Sequence, residues 1–262
     1  MIRKGYVDAG GGQVHYRHRP GQGTPVVCLH QTASSSAMFE AVMRRWPGPE
    51  PLYALDTPGF GGSYEPDGQP TMAEYGRVLL DATRALGLER MHLFGHHTGA
   101  CIAIEMADAA PERTASLAMI GPVTITRDEA AMFKSVYPKD FRIQVDGSHL
   151  RKMWDYVAEI GGNSTPELHH REFVDTARAW AGHIRVYSAI WDQDFIALYQ
   201  RVKVPLWIAC SPNDVLWPIF PRAKELRPDA IAVELGGSNF QTDEVPEQVV
   251  AALAAFYAAR RG

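Results

Sequence analysis

Hydrophobic residues in this chain form short continuous runs that alternate with longer stretches in which they recur every three or four positions. Continuous runs are typical of strands covered on both faces of a parallel sheet, and the recurring pattern is typical of helices that pack one face against it. The alternation predicts an α/β protein with a mostly parallel central sheet flanked by helices. The continuous runs span residues 24–30, 52–56, 91–95, 116–120, 204–210 and 230–235.

Turn and capping residues indicate where several elements begin and end. Gly10-Gly11-Gly12 lies between two segments of alternating polarity and predicts a hairpin that opens the sheet. Thr71 and Glu74 form a capping-box pattern, which predicts a helix that stops at Gly87. Further helices are predicted over residues 38–46 and 246–259.

The segment Met-His-Leu-Phe-Gly-His-His-Thr-Gly at residues 91–99 joins an apolar strand to a helix that begins with small residues. Gly95 and Gly99 allow the strand and the helix to approach closely around the middle residue, His97. The segment therefore predicts a sharp turn that holds His97 in a strained conformation and projects its side chain outward.

This segment resembles the nucleophile elbow Gly-x-Ser-x-Gly of the α/β-hydrolase family, with His97 at the position of the serine. A second match is Asp-Thr-Pro-Gly-Phe-Gly-Gly-Ser at residues 56–63, in which Asp56 is expected to anchor a turn. The resemblance implies the α/β-hydrolase fold, with a core domain formed by residues 1–123 and 204–262. It also implies a helical cap, or lid, inserted at residues 124–203.

The predicted cap contains eleven aromatic residues of the Phe, Tyr and Trp types in helix-like patterns. Most of these rings are expected to form the core of the cap, and a minority to line a pocket. Eleven Lys and Arg residues balance eleven Asp and Glu residues in this segment, so its charge favours neither an anionic nor a cationic substrate.

The resemblance also implies positions for the remaining site residues. The backbone amides of Thr32 and Thr98 would form the oxyanion hole, and Asp214 would be the acid of the triad. Asn239 lies where the family has its catalytic histidine. With neither a serine at the elbow nor a base at position 239, the ordinary serine-hydrolase mechanism is excluded. His97 remains a candidate catalytic residue, because an imidazole suits acid and base chemistry near neutral pH.

One hypothesis joins the three polar residues in a relay. The carbonyl of Asn239 would accept the N–H of His97, and its amide would donate to Asp214. His97 could then activate water for hydrolysis or attack directly as a nucleophile. It could instead abstract a proton beside a carbonyl, as in a lyase, isomerase or cyclase, or serve only as a contact in a ligand-binding pseudo-hydrolase. Hydrolysis ranks first by analogy with the family.

The predicted substrate is a small, mostly apolar or aromatic carbonyl compound. Several residues beside the site loops are candidate pocket residues, whereas His96 is expected to be structural. No cofactor is expected, because no phosphate-cradling loop precedes a helix, and no metal-ligand spacing surrounds the histidines. The candidate substrate-binding residues are Gln31, Phe39, Trp217, Phe220 and Phe240.

Composition adds class-level limits. A hydrophobic fraction of 46% and a net charge of -4 suit a globular enzyme and argue against a nucleic-acid partner. No apolar run reaches the length of a membrane span or resembles a signal peptide, so a cytoplasmic protein without a membrane partner is expected. Three cysteines lie in apolar patterns and are expected to be buried thiols.

Overall fold

The central feature of the computed structural model, which describes residues 1–260, is a single eight-stranded sheet. Its strands are Arg3–Ala9 (β1), Gly12–Arg19 (β2), Val26–Leu29 (β3), Leu52–Leu55 (β4), Met91–His96 (β5), Thr114–Ile120 (β6), Leu206–Cys210 (β7) and Ile231–Glu234 (β8). Their order is β1-β2-β4-β3-β5-β6-β7-β8. Only the pairs β1/β2 and β2/β4 are antiparallel within the described residues. The predicted α/β class with a mostly parallel sheet is confirmed.

Helices cover both faces of the sheet. Their bounds are Glu40–Arg45 (α1), Met72–Ala85 (α2), Thr98–Ala109 (α3), Arg127–Lys134 (α4), Ser148–Glu159 (α5), Pro166–Arg178 (α6), Trp180–Asp192 (α7), Phe195–Arg201 (α8), Phe220–Leu226 (α9), Gln241–Glu244 (α10) and Pro246–Ala258 (α11). Short 3-10 helices lie at Ser36–Phe39, Pro111–Arg113 and Trp217–Ile219. No helix within residues 1–260 has both the length and the apolar character needed to cross a membrane.

Alternate residues of the central strands feed two separate cores. In β3, Val27 and Leu29 belong to the core that contains α2 and α3, whereas Val26 and Cys28 belong to the core that contains α1 and α11. Successive side chains of a strand point to opposite faces, so a strand buried on both sides must be apolar at every position. The continuous hydrophobic runs of the sequence have this origin.

The capping signals of the sequence are realised with small shifts. Thr71 caps α2 through the amide of Glu74, whose carboxylate returns a contact to the amide of Thr71. Gly87 follows with a φ of 72°. The helix predicted at 38–46 instead begins as a 3-10 turn at Ser36, because the hydroxyl of Ser35 accepts a hydrogen bond from the amide of Ala37.

Asp56 anchors the turn after β4, as the sequence predicts. Its carboxylate accepts hydrogen bonds from the amides of Ser36 and Gly62, at 2.6 and 2.7 Å, and lies 2.7 Å from Nδ1 of His15. Burial opposes ionisation, but the hydrogen bond with His15 and the other donors outweigh it and lower the pKa of Asp56. Asp56 therefore has a structural role in this turn and is distinct from Asp214, the predicted acid of the candidate site.

The five helices α4–α8 lie between β6 and β7 in the chain. The segment that they form with their connecting loops has a small core of its own around Phe141, Met153, Tyr156 and Val157. Helix α6 meets the central domain through Ser34, whose hydroxyl contacts Glu172. Val186 of α7 and Phe195 of α8 belong to the core that contains α2 and α3. The insertion therefore packs on this main core as well as on itself.

Candidate active site

The turn between β5 and α3 has the predicted shape. His97 lies between the last residue of β5 and the first of α3, with φ 47° and ψ -109°. It is the only non-glycine residue with positive φ among residues 1–260. Its amide donates to the carbonyl of Ile120 at 2.9 Å, and its carbonyl accepts from the amide of Ala100 at 2.8 Å. Backbone strain held in this way is typical of functional sites.

Glycines allow the close approaches around this turn. A Cβ on Gly99 would collide with the carbonyl of Leu29, and a Cβ on Gly95 would collide with the carbonyl of Gly99. Gly121, directly after β6, has a φ of 62°, and a Cβ there would collide with the His97 ring. Gly121 was missed in the sequence analysis, although a glycine at the end of a strand beside the elbow was the available signal.

His97 and Asp214 form the central pair of the site. Nε2 of His97 lies 2.8 Å from Oδ2 of Asp214, whose side chain is fully buried in the loop after β7. Burial opposes ionisation of Asp214, but His97, the amide of Leu216 and the carboxamide of Gln241 outweigh it and lower the pKa of this carboxyl. Because an ionised carboxylate only accepts, His97 donates through Nε2. Within residues 1–260 no hydrogen bond engages Nδ1 of His97.

Asn239 does not stand between these two residues, so the predicted relay is wrong. Its Oδ1 accepts from the amide of Val215 at 2.9 Å, and its Nδ2 donates to the carbonyl of Ile160 at 2.6 Å. The His97 ring reaches Asp214 directly, which leaves no gap for an intervening amide. Asn239 therefore ties the loop after β7 to the end of α5, and it also lines the cavity described below.

His96 and Gln241 form a second hydrogen-bonded pair, which contacts both His97 and Asp214. His96 is fully buried, and its ring is stacked on that of His97 with centroids 4.7 Å apart. Nε2 of His96 donates to Oε1 of Gln241 at 2.8 Å, and Nε2 of Gln241 donates to Oδ2 of Asp214 at 2.7 Å. Burial, helped by the neighbouring His97, lowers the pKa of His96 to about 3. Gln241 was missed in the sequence analysis because no family motif marks it.

Thr32 and Thr98 meet at the opposite side of the elbow. Their hydroxyl oxygens lie 2.7 Å apart, and both residues line the same cavity as His97. Thr32 comes from the loop after β3, and Thr98 is the first residue of α3. The structure thus brings together the two residues whose amides were expected to hold an oxyanion.

The cavity beside His97 encloses about 110 Å³, which suits a small ligand. Five of the eleven aromatic rings of the insertion line it, and the other six do not. The rings of Phe133 and Trp191 are stacked 5.4 Å apart, and those of Tyr137 and Tyr187 are stacked 5.3 Å apart. The described residues that line the cavity are Gln31, Thr32, His97, Thr98, Val123, Ile125, Phe133, Tyr137, Tyr156, Ile160, Tyr187, Ile190, Trp191, Val215, Leu216 and Asn239.

Four predicted pocket residues are absent from this lining, and their placement corrects the expectation. Phe39 is fully buried in the core beneath the sheet, where it packs edge-on against Phe94 at 5.5 Å. Trp217 and Phe220 stack on each other at 5.7 Å, and Phe240 is fully buried. Trp217 and Phe220 pack against the core that contains α2 and α3, and their neighbours Val215 and Leu216 line the cavity instead.

Gln31 lines the cavity. Its Nε2 is buried and has no hydrogen-bond partner within residues 1–260. Among the same residues no group of three or more His, Cys, Asp or Glu side chains is arranged to hold a metal ion. The three cysteines are buried free thiols.

A model of the α/β-hydrolase fold family matches residues 24–164, just over half of the chain. The chain therefore belongs to the α/β-hydrolase family. Solved structures agree with this fold. An enol-lactonase from Burkholderia xenovorans LB400 superposes with a TM-score of 0.83 at 18% identity, covering 97% of this chain and 100% of that one. A thermophilic esterase from Thermogutta terrifontis gives a TM-score of 0.80 at 16% identity, covering 99% and 100%.

Similarity in sequence to curated proteins is more limited. A haloalkane dehalogenase of Agrobacterium fabrum is 32% identical over 117 residues, which are 45% of this chain and 38% of that protein. An uncharacterised carboxylesterase of Bacillus subtilis is 29% identical over 119 residues, or 45% of this chain and 40% of that protein. The match thus spans about two fifths of the length of these relatives.

Proposed function

We propose that this protein is a hydrolase-type enzyme in which His97 is the general base and Asp214 orients it. The observation that carries the proposal is the 2.8 Å hydrogen bond between them at the tip of the elbow. It commits Nε2 of His97 to the carboxylate and leaves Nδ1 as the nitrogen able to take a proton. A base held in one orientation beside a cavity is what proton transfer requires.

In the proposed reaction, Nδ1 of His97 takes a proton from water, and the resulting hydroxide attacks the carbonyl carbon of the substrate. Asp214 stabilises the imidazolium that forms, and the amides of Thr32 and Thr98 hold the oxyanion. The imidazolium then returns the proton to the leaving group. Asn239 has a supporting place in this proposal, because its side chain is already committed to Val215 and Ile160.

The proposed substrate is a small, mostly apolar or aromatic carbonyl compound. Stacked aromatic pairs from the segment between β6 and β7 support this class, as does the small volume of the cavity. We assign residues 124–203 as the cap that covers the site. The relatives named above include esterases and a dehalogenase, which favours hydrolysis over other chemistry.

A second candidate is proton abstraction beside a carbonyl, giving a lyase, isomerase or cyclase. The observation that favours it is the elbow itself, where a base replaces the hydroxyl needed for a covalent acyl intermediate. The same amides would hold an enolate. Hydrolysis and proton abstraction therefore use the same base and differ in whether water takes part.

Turnover of small aryl esters and aryl 1,3-diketones tests the proposal. The reactions are run once in ¹⁸O-labelled water and once in deuterium oxide. Hydrolysis places ¹⁸O in an acid product, whereas proton abstraction without hydrolysis gives no acid product and places deuterium on the carbon beside the carbonyl faster than enzyme-free buffer does. His97→Ala should lose either activity at least about a hundredfold. His170→Ala, which changes an exposed histidine of α6, should retain it.

Ligand binding without turnover by the wild-type protein, across the whole substrate panel, would contradict the proposal. It would leave the ligand-binding pseudo-hydrolase as the function. Equal activity in His97→Ala and the wild type would instead remove His97 from the mechanism.

A further inference from the structure

Gln241 connects two parts of the site that the backbone leaves separate. It is the first residue of α10, and its side chain is fully buried. Its Nε2 lies 2.7 Å from Oδ2 of Asp214, and its Oε1 lies 2.8 Å from Nε2 of His96. One carboxamide thus bridges Asp214, in the loop after β7, and His96, the last residue of β5.

The chemistry of these groups fixes the direction of each hydrogen bond. An ionised carboxylate only accepts, so the amide nitrogen of Gln241 must face Asp214. The amide oxygen then faces His96 and accepts from it, which places the His96 proton on Nε2. Nδ1 of His96 is buried and has no partner among residues 1–260. A second proton on His96 would have no acceptor there, so this ring stays neutral.

These contacts form a closed ring that joins His97, Asp214, Gln241 and His96. His97 donates to the Asp214 oxygen that also accepts from Gln241, and the His96 ring bonded to Gln241 is stacked on the His97 ring with an interplanar angle of 17°. We propose that Gln241 is a positioning residue that fixes the Asp214 carboxylate and the neutral His96 ring, and through both of them the orientation of His97. Its catalytic consequence rests on the proposed function of His97 as a base.

The bridge acts on the step in which His97 becomes an imidazolium. Asp214 must then hold its oxygen on Nε2 without rotating away. The amide of Leu216 donates to Oδ1 at 2.8 Å and holds one oxygen, while Gln241 holds the other. A neutral His96 beneath His97 adds no positive charge against the imidazolium. Removing Gln241 leaves Oδ2 of Asp214 with His97 as its remaining donor and leaves Nε2 of His96 without its acceptor.

The wild-type protein gives the first test, by ¹⁵N NMR of histidine-labelled protein near neutral pH. The proposal requires both His96 and His97 to carry a proton on Nε2. In Gln241→Met, which keeps similar volume without hydrogen bonds, His97 should become a mixture of tautomers. The kcat should fall about tenfold or more with little change in KM. Thr242→Val is the matched control, because Thr242 is equally buried on α10 and its hydroxyl has no partner among residues 1–260.

Gln241→Glu gives a sharper test, because a protonated carboxyl can replace the amide. Its O–H would donate to Asp214 and its C=O would accept from His96. Ionisation would place two carboxylates side by side, and such a pair shares one proton until the pH is raised. Activity that depends on a base should rise with pH in the wild type. In Gln241→Glu it should fall again at alkaline pH, giving a bell-shaped profile.

The outcomes separate this proposal from the proposed function. A His96 proton on Nδ1, or the same His97 tautomer and the same pH profile in wild type and both variants, would overturn the role of Gln241 whether or not the protein is an enzyme. A tautomer mixture in Gln241→Met, in a protein with no turnover of any substrate, would support the positioning role and contradict the enzymatic function.

Discussion

The hydroxyl of Ser34 donates a hydrogen bond to Oε1 of Glu172 at 3.0 Å, which joins the loop after β3 to α6 of the insertion. Arg171 also donates to Glu172, and it reaches Asp243 on α10 through two further hydrogen bonds of 2.6 and 2.7 Å. Ser35 donates to Asp175 at 2.7 Å beside them. Burial outweighs Arg171 and raises the pKa of Glu172 to about 7.

This raised pKa predicts that the contribution of Glu172 to folding stability falls as pH rises. Between the ordinary pKa of a glutamate, near 4.5, and about 7, the folded protein holds a proton on Glu172 that the unfolded chain releases. The contribution of Glu172 to the free energy of unfolding should therefore decrease by about 2–3 kcal/mol across pH 5 to 8. The buried His96 and His183, whose pKa burial lowers to about 3, contribute in the opposite direction. Urea unfolding at several pH values measures the slope of the free energy of unfolding against pH. Glu172→Gln should make that slope more positive, by the amount that Glu172 contributes.

Glu129→Gln is the matched control for this slope. Glu129 is also a glutamate of the insertion, but its hydrogen bonds with Arg222 lower its pKa to about 2. It is ionised over the whole range from pH 5 to 8, so its replacement should leave the slope unchanged. A slope that is the same in wild type and Glu172→Gln would contradict the assignment to Glu172.

The strained backbone of His97 predicts different stabilities for two inactive variants. With φ 47° and ψ -109°, position 97 favours glycine over any residue with a Cβ. His97→Gly should therefore unfold with a free energy about 1 kcal/mol higher than His97→Ala. Both variants should lack turnover, because neither has an imidazole. Urea denaturation measures the difference, and equal stability of the two would contradict strain at the elbow.

Gly121 should be required for the orientation of the His97 ring. Gly121→Ala places a methyl group in the space that the ring occupies, at a φ of 62°. We expect kcat/KM to fall at least about tenfold and stability to fall by about 1–3 kcal/mol. Gly11→Ala is the control, because Gly11 has a φ of 88° but no atom near its missing Cβ. It should lose stability through strain alone and keep its activity.

The elbow could be predicted from sequence because the strand, the turn and the helix that form it depend on residues close together in the chain. Gly95 and Gly99 permit backbone approaches that larger residues forbid, so the local pattern contains the geometry. The Asn239 relay failed because it depended on how far one side chain reaches across three separate loops. Gln241 could not be found for the same reason, since its partners Asp214 and His96 are distant in sequence.

The sequence predicts which segment supplies the pocket residues, but not which of its residues line the pocket. The sequence predicts that a minority of the eleven aromatic rings in the insertion line a pocket, and five of them line the cavity. Which rings do so depends on how α4, α5, α7 and the loop after α4 are placed in the packed structure. Phe39 and Phe240 lie beside the site in sequence, but the core takes both rings completely. Apolar character alone does not distinguish a ring that lines a pocket from one that fills a core.

Exchanging the two altered family positions should restore a serine mechanism. Asn239 lines the cavity and contacts Val215, the neighbour of Asp214. A histidine introduced at position 239 would therefore lie beside the loop that carries Asp214. In His97→Ser with Asn239→His, Asp214 loses its present ring partner and can orient the new one. The double variant should then show a burst of acyl-enzyme with small activated esters, and a fluorophosphonate probe should label the introduced serine.

The single variants are the controls for this exchange. His97→Ser alone has no base, and Asn239→His alone has no hydroxyl at the elbow, so neither completes the acyl-transfer relay. Strong non-additivity is the expected result, because a nucleophile and its base act as one unit. If the folded double variant is neither acylated nor labelled, the amides of Thr32 and Thr98 do not form a working oxyanion hole. His97 would then have to act as a base or as a ligand contact without that support, and hydrolysis would rank below the lyase, isomerase and ligand-binding alternatives.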